Sequence, residues 1–243
     1  MKKILTLALL ILSPTLSGLA ATIISHEQFG SISPELQDQI VIEQTTNTGT
    51  AGIRYVSSSG YYAAFQTFTW SDSASMSGIG VKLAANSNNI NGSNAYSYYL
   101  RVFAVDALTA GASITETLGD YTFSLTGDYR TVTDYLYFEL PEALSLVEGN
   151  YYAFEIVGAG TAASRLTLAT AQSGTSSYDE GYGFHPNGSN ALASNDIPDE
   201  ISGTGINGMV FFATAVPEPS CIILLFIGIG LVAWRTKMLA IRG

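Results

Sequence analysis

The chain has 243 residues, and only 12% of them are charged. Positions 21–215 hold nineteen acidic and five basic residues, a net charge of −14, and they hold no cysteine. A negative field of that size repels phosphate backbones, which argues against nucleic acid as a ligand, and the lack of cysteine excludes an intramolecular disulfide there.

The first segment, residues 1–20, has the pattern of a secretory signal peptide. It begins Met-Lys-Lys, continues with an apolar run over 4–12 and closes with small residues around 18–20. A basic start, a short apolar run and a small-residue exit are typical of a signal helix that a peptidase removes. We therefore expect cleavage after Ala20 or Ala21 and export of the remainder. An uncleaved membrane anchor is the alternative.

Residues 21–215 form the predicted exported domain, and their apolar pattern favours strands. Short alternating runs are separated by Gly, Asn, Ser and Asp, and no long segment has an apolar stripe of helical period. About ten strands with polar turns predict an all-β fold, a β-sandwich of the jelly-roll type. The predicted strands span 39–44, 52–57, 62–70, 76–84, 96–106, 119–125, 131–140, 151–157, 165–170 and 208–215.

Three stretches of this domain, 64–69, 78–83 and 144–154, combine apolar runs with glycine or polar residues. They resemble segments of the β-sandwich domains that precede surface anchors of several types, the choice-of-anchor group. The resemblance implies a β-sandwich fold for the exported domain.

Adjacent tyrosine pairs occur at 61–62, 98–99 and 151–152. Because neighbouring side chains of a strand face opposite ways, we expect one tyrosine of each pair in the core and the other at the surface. An exposed tyrosine either packs across strands or stacks on a sugar ring, and the sequence favours packing. Trp70 is expected in the core or at a strand end.

Oxygen-bearing side chains are concentrated in the predicted loop over 178–203. Calcium takes six to eight oxygen ligands, so this loop is a candidate calcium site. Its spacing matches no known calcium loop, which favours a solvated loop and no cofactor. The candidate ligands are Asp179, Glu180, Asp196 and Asp199.

The C-terminal segment, 216–243, combines a proline-containing start, an apolar run over 220–234 and a basic end. The run is predicted to be a transmembrane helix. Arg235 and Lys237 follow it, and flanking basic residues favour the cytoplasmic side of a membrane. Because the first segment also has a basic end, the acidic domain between them is predicted to lie outside the cell.

The start of this tail, its short apolar helix and its basic end together resemble the PEP-CTERM sorting signal. Tails of this kind also carry the label "ice-binding protein C-terminal domain". The resemblance implies recognition by an exosortase, an integral-membrane cysteine protease that would cut near the motif. A plain tail anchor is the alternative. The motif residues are Val216, Pro217, Glu218 and Pro219.

Residue types used in catalysis are scarce in the domain. Its two histidines are His26, expected in a mobile N-terminal end, and His185, in a loop rich in Gly and Asn. The sequence has no nucleophile elbow, Walker loop or zinc motif, so the usual residues for acyl-transfer, phosphate and zinc chemistry are lacking. A carboxylate pair for glycoside hydrolysis stays open, because its separation depends on tertiary structure.

These patterns predict a non-enzymatic protein exported from a Gram-negative-type bacterium. We expect transit through the secretion translocon, exosortase processing at the inner membrane, and a final place at the cell surface or in the extracellular matrix, associated with exopolysaccharide. A carbohydrate-binding module is the first alternative, favoured by the sandwich and the spare tyrosines. A polysaccharide hydrolase or lyase is the second.

Overall fold

The computed structural model describes residues 22–56, 60–159, 165–171, 181–185, 197–201, 204–205 and 208–216. These ranges consist mainly of strands with one short helix, α1 (Pro34–Gln37), and they confirm the all-β prediction. The strands are β1 (Thr22–Ile23), β2 (Glu27–Phe29), β3 (Ile40–Gln44), β4 (Gly49–Val56), β5 (Gly60–Thr69), β6 (Met76–Lys82), β7 (Tyr96–Val105), β8 (Ile114–Leu125), β9 (Tyr135–Leu144), β10 (Tyr151–Ala159), β11 (Leu166–Thr170), β12 (Gly183–His185), β13 (Thr204–Gly205) and β14 (Phe211–Ala215).

The strands form two sheets. The larger sheet has the order β1-β8-β7-β10-β5-β12-β13, with β4 also bonded to β5 and β11 to β4. The smaller sheet has the order β2-β9-β6-β14-β3. Paired strands are antiparallel, except that β1 runs parallel to β8. Eight of the strands pair in a nested way: β3 with β14, β5 with β10, β6 with β9 and β7 with β8.

The two sheets pack face to face, with aromatic rings between them. The ring centroids of Phe123 in β8 and Phe138 in β9 are 4.6 Å apart, and those of Phe154 in β10 and Phe211 in β14 are 5.4 Å apart. Each contact joins opposite sheets, and all four side chains are buried. Removal of this apolar surface from water is the main contribution to the stability of such a two-layer domain.

The ten predicted strands correspond to β3 through β11 and to β14, with ends shifted by three to five residues at β4, β8, β9 and β14 and by less elsewhere. β8 begins at Ile114, five residues before its predicted start, because register shifts against β7 interrupt the alternation there. β9 continues past Pro141 to Leu144, since its register against β6 also shifts at this point and a proline is tolerated at such an irregularity. The remaining strands, β1, β2, β12 and β13, have at most three residues and show no period.

The tyrosine pairs divide between the core and the outer face of the larger sheet. Tyr98 and Tyr152 are buried, while Tyr99 is half-buried and Tyr151 is 42% exposed. This confirms the prediction for two of the three pairs, whereas the side chain at position 61 lies outside the described residues. Trp70 directly follows β5 and is buried, as predicted.

The outer face of the smaller sheet is covered by the N-terminal part of the domain. Phe29, Ile32 and Leu36 pack against a buried cluster of side chains that come mainly from the smaller sheet and its flanking segments, with Ala169 of β11 added from the larger sheet. The ring of Phe212 lies at the centre of this layer, with centroids 5.5 Å from Tyr135 and 5.7 Å from Tyr137. Both faces of the smaller sheet are therefore packed.

Because Gly80 of β6 has no side chain, the ring of Phe212 can pack directly against the backbone at this position. A Cβ atom at position 80 would overlap that ring, and the ring is confined by its aromatic neighbours. We therefore expect Gly80→Ala to lower the free energy of unfolding by about 1–3 kcal/mol, the usual cost of overpacking a core. Urea denaturation followed by circular dichroism measures this change.

Gly30→Ala is the matched control for this substitution. A Cβ atom at position 30 would meet nothing closer than the Oδ1 atom of Asp134 at 3.6 Å, which is an ordinary contact. Its unfolding curve should overlay that of the wild type. Equal stability of the Gly80→Ala variant and the wild type would contradict the role of the Phe212 ring.

Candidate functional site

Two of the predicted site residues lie within the described part of the chain. Val216 directly follows β14, is 42% exposed, and donates its backbone N–H to the carbonyl of Ser75 at 3.0 Å. Asp199 is exposed, and its carbonyl accepts a hydrogen bond from the N–H of Ile114 at 2.9 Å. The predicted site residues outside the described ranges are Asp179, Glu180, Asp196, Pro217, Glu218, Pro219, Arg235 and Lys237.

Within the described ranges, no helix has the length and apolar composition needed to cross a membrane. The same ranges contain no group of three or more His, Cys, Asp or Glu side chains arranged to hold a metal ion. Residues 1–20, the run over 220–234 and most of the candidate calcium ligands fall outside them. The signal peptide, the transmembrane helix and the calcium site therefore stay predictions.

The prediction of a mobile end at His26 is wrong. Its ring is half-buried and lies between the two sheets, with centroids 6.1 Å from Phe123 and 6.2 Å from Phe138. Burial lowers the pKa of His26. Because β1 adds to β8 and β2 adds to β9, this segment closes one side of the two-sheet core. The side chain of His185 lies outside the described residues.

Three charged side chains meet on the outer face of the larger sheet. The strand registers place Arg101 of β7 opposite Glu155 of β10 and opposite Asp120 of β8. The Arg101 Nε donates to Asp120 Oδ1 at 3.1 Å, and its Nη1 donates to Glu155 Oε2 at 3.1 Å. The guanidinium also lies 4.5 Å from the ring centroid of Tyr99. One cation thus stands between two carboxylates, and we call these three residues the charged cluster.

Burial differs across the charged cluster. Arg101 and Glu155 are almost fully buried, whereas the side chain of Asp120 is 24% exposed. Burial raises the pKa of Glu155 to about 7, Arg101 opposes this rise, and the charge of Asp120 adds to it. Among the described residues, the second carboxylate oxygen of Glu155 has no hydrogen-bond partner. A single guanidinium does not neutralise two carboxylates here, so Glu155 keeps its proton in mildly acidic solution.

The charged cluster has the residue types of a glycosidase but not the access. A hydrolase needs both carboxylates within reach of the glycosidic bond. Glu155 has no exposed surface, so a sugar cannot contact it. The charged cluster therefore does not provide the accessible carboxylate pair that the hydrolase or lyase alternative requires. The sequence signal that points to the cluster is a lone charge inside an apolar strand, at 101 and again at 155.

A surface depression of about 460 Å³ lies where β7, β8 and β10 end on one side of the larger sheet. Of its two tyrosines, Tyr151 is exposed and Tyr152 is buried. The depression is lined by Ala104, Val105, Thr115, Gly149, Asn150, Tyr151 and Tyr152. It was not predicted, because its walls come from three strands and a turn that are distant in sequence.

Backbone hydrogen bonds hold the turn that forms one wall of this depression. The N–H of Gly149 donates to the carbonyl of Trp70 at 2.8 Å, and the N–H of Trp70 donates to the carbonyl of Asn150 at 3.1 Å. Gly149 has a φ of +81°, a conformation that glycine adopts without steric cost. The turn therefore fixes Asn150 and Tyr151 relative to the sheet.

A second depression, of about 390 Å³, lies where the chain leaves β14. Val216 lines it together with Asp38 and Asp72. The carboxylate of Asp72 accepts a hydrogen bond from the N–H of Ala74 at 2.8 Å. The start of the predicted sorting motif is therefore at the surface of the domain and beside a groove.

Comparisons with protein-family models, with curated proteins and with solved structures found no match to this chain. They identify neither the sorting-signal resemblance of 216–219 nor the choice-of-anchor resemblance of the domain. Both resemblances stay predictions, and any function rests on the residues of this chain.

Proposed function

We propose that this protein is an exported, non-enzymatic component of a bacterial surface or extracellular matrix, sorted through an exosortase and associated with exopolysaccharide. The observation that carries the proposal is the extent of the strands. All the described strands lie after the expected cleavage at 20 or 21, and the last of them, β14, ends at Ala215, directly before the motif at 216–219. Removal of both extremities would leave every strand that the structure describes in place.

The surroundings of Val216 support access by a membrane protease. Its backbone is still bonded to Ser75, while its side chain is exposed beside the second depression. The chain therefore enters the motif at the surface and not within the core. A protease that needs an extended substrate segment could reach it without unfolding the domain.

The strand order supports a jelly roll as the detailed fold. The nested pairs of β3 with β14, β5 with β10, β6 with β9 and β7 with β8 describe a long antiparallel ribbon. Wound over a core, that ribbon gives the orders β8-β7-β10-β5 and β9-β6-β14-β3 in its two sheets. Eight strands in two such sheets, with two Greek keys, constitute a jelly roll.

Substitution of the motif tests the sorting proposal. We expect the wild-type protein, recovered from its native host, to lack residues 1–20 and most of the segment after 219. The double variant Pro217→Ala/Glu218→Ala should retain its tail and accumulate in the inner membrane, with the processed form nearly lost. Intact-mass spectrometry of fractionated cells measures both properties.

Thr236→Ala is the control for this experiment, since it changes the tail outside the motif. It should be processed like the wild type. An identical mature mass and location for the motif variant and the wild type would refute sorting through this motif.

A further inference from the structure

We propose that the depression beside Tyr151 binds an uncharged pyranose ring of a polysaccharide. This inference deepens the exopolysaccharide association proposed above and rests on it for its biological setting. The depression has a volume of about 460 Å³, which lies in the range of about 300–1,000 Å³ that small-molecule sites occupy. The walls of the depression provide two kinds of contact that a sugar ring can use, and their lack of charge suits a neutral sugar.

The first kind of contact is stacking on an aromatic face. Tyr151 is the first residue of β10, and its side chain is 42% exposed. The face of an aromatic ring carries a partial negative charge, which attracts the C–H groups on the flat side of a pyranose. Ala104 and Val105 line the same depression and add apolar surface beside this ring.

The second kind of contact is hydrogen bonding. Asn150 lines the depression and is exposed, its backbone is fixed through Trp70, and an asparagine amide has both donors and an acceptor. The hydroxyl of Thr115 donates to the carbonyl of Ala104 at 3.1 Å, which leaves its oxygen free to accept. Sugar hydroxyls both donate and accept, so they suit these two side chains.

The distribution of charge around the depression favours an uncharged sugar. The described residues that line the depression include no charged side chain. Each of three exposed carboxylates is next in sequence to a lining residue: Asp106, Glu116 and Glu148. Their charges act over about 10 Å at 0.1 M salt and repel uronate or sulfated sugars. A neutral hexose polymer is therefore the occupant that fits.

Titration calorimetry with full-length protein in mild detergent tests the site. The probes are two neutral glucose hexamers, cellohexaose and maltohexaose, and an anionic hexamer of galacturonate. We expect saturable binding of at least one neutral hexamer and none of the anionic one. Tyr151→Ala should weaken that binding at least tenfold, while Tyr151→Phe, which keeps the ring, should stay within threefold of the wild type.

Tyr182→Ala is the matched control, because Tyr182 is 49% exposed but does not line the depression. It should bind like the wild type, and circular dichroism should show each variant folded. Absence of binding to both neutral hexamers, tighter binding of the galacturonate hexamer, or full binding by the Tyr151→Ala variant would each overturn the inference.

The same variants separate this inference from the sorting proposal. In the native host, the Tyr151→Ala protein should be processed and located normally. Normal processing without any glucan binding would refute the sugar site alone. If the Pro217→Ala/Glu218→Ala variant is instead processed and located like the wild type, while glucan binding still depends on Tyr151, the sorting proposal alone is refuted.

Discussion

Replacement of Arg101 by Met should lower the free energy of unfolding at pH 8 by about 3–5 kcal/mol, the cost of breaking a buried ion pair. At this pH Glu155 is ionised in the folded protein, since its pKa is about 7. Removal of the guanidinium leaves this fully buried carboxylate without the cation that now contacts it, so it must either stay charged in the core or take up a proton at a free-energy cost. Denaturant titration at constant pH measures the loss. An unchanged slope of the unfolding free energy against denaturant concentration would indicate that the folded state is intact.

Arg130→Met provides the comparison for this result. Arg130 pairs with Asp128, but both side chains are about half exposed, and pairs in contact with water contribute little. The free energy of unfolding of the Arg130→Met variant should stay close to that of the wild type. The double variant Arg101→Met/Glu155→Leu should recover most of the loss, because no charge then stays buried at position 155. Equal losses for the Arg101 and Arg130 variants would contradict the role of the charged cluster.

The contribution of Glu155 to stability should fall as the pH rises from about 4.5 to about 7. Burial raises the pKa of Glu155 from 4.5 to about 7, so the folded state binds this proton more tightly than the unfolded state does. The resulting stabilisation is complete below pH 4.5 and is lost as the pH passes through 7. One pKa unit corresponds to about 1.4 kcal/mol, so the loss is on the order of 3 kcal/mol.

Glu155→Gln isolates this contribution from those of other groups. His26 acts in the opposite sense, because burial lowers its pKa and its stabilisation grows as the pH rises. The difference between the wild type and Glu155→Gln cancels the His26 contribution and should change by a few kcal/mol across the range. Glu116→Gln, at an exposed position of β8, serves as the control. Parallel pH profiles for the wild type and Glu155→Gln would show that Glu155 does not hold the proton.

Much of the fold could be predicted from local sequence. The alternation of apolar and polar residues identified ten strands and predicted one core tyrosine in each adjacent pair, which the structure shows to be Tyr98 and Tyr152 in two of the pairs. It failed where register shifts interrupt the alternation, as at the start of β8, and in strands too short to show a period. His26 was misassigned because its burial depends on two rings contributed by opposite sheets.

The candidate sites could not be predicted in the same way. Arg101 and Glu155 are 54 positions apart and meet because β7 pairs with β10 in one particular register. The Tyr151 depression likewise needs β7, β8 and the turn before β10 at one edge. A strand pattern shows which side chains share a face, but it does not show which strand lies alongside.

Local sequence was therefore sufficient for the ten strands of five or more residues, for the alternation of their two faces and for the patterns of the two extremities. The three-dimensional fold was needed to bury Glu155 beside Arg101, to anchor the N-terminal segment across both sheets and to expose Tyr151 beside Asn150. The reason is that a period of two residues is encoded in the chain itself, whereas strand partners and register follow from long-range packing of the whole core.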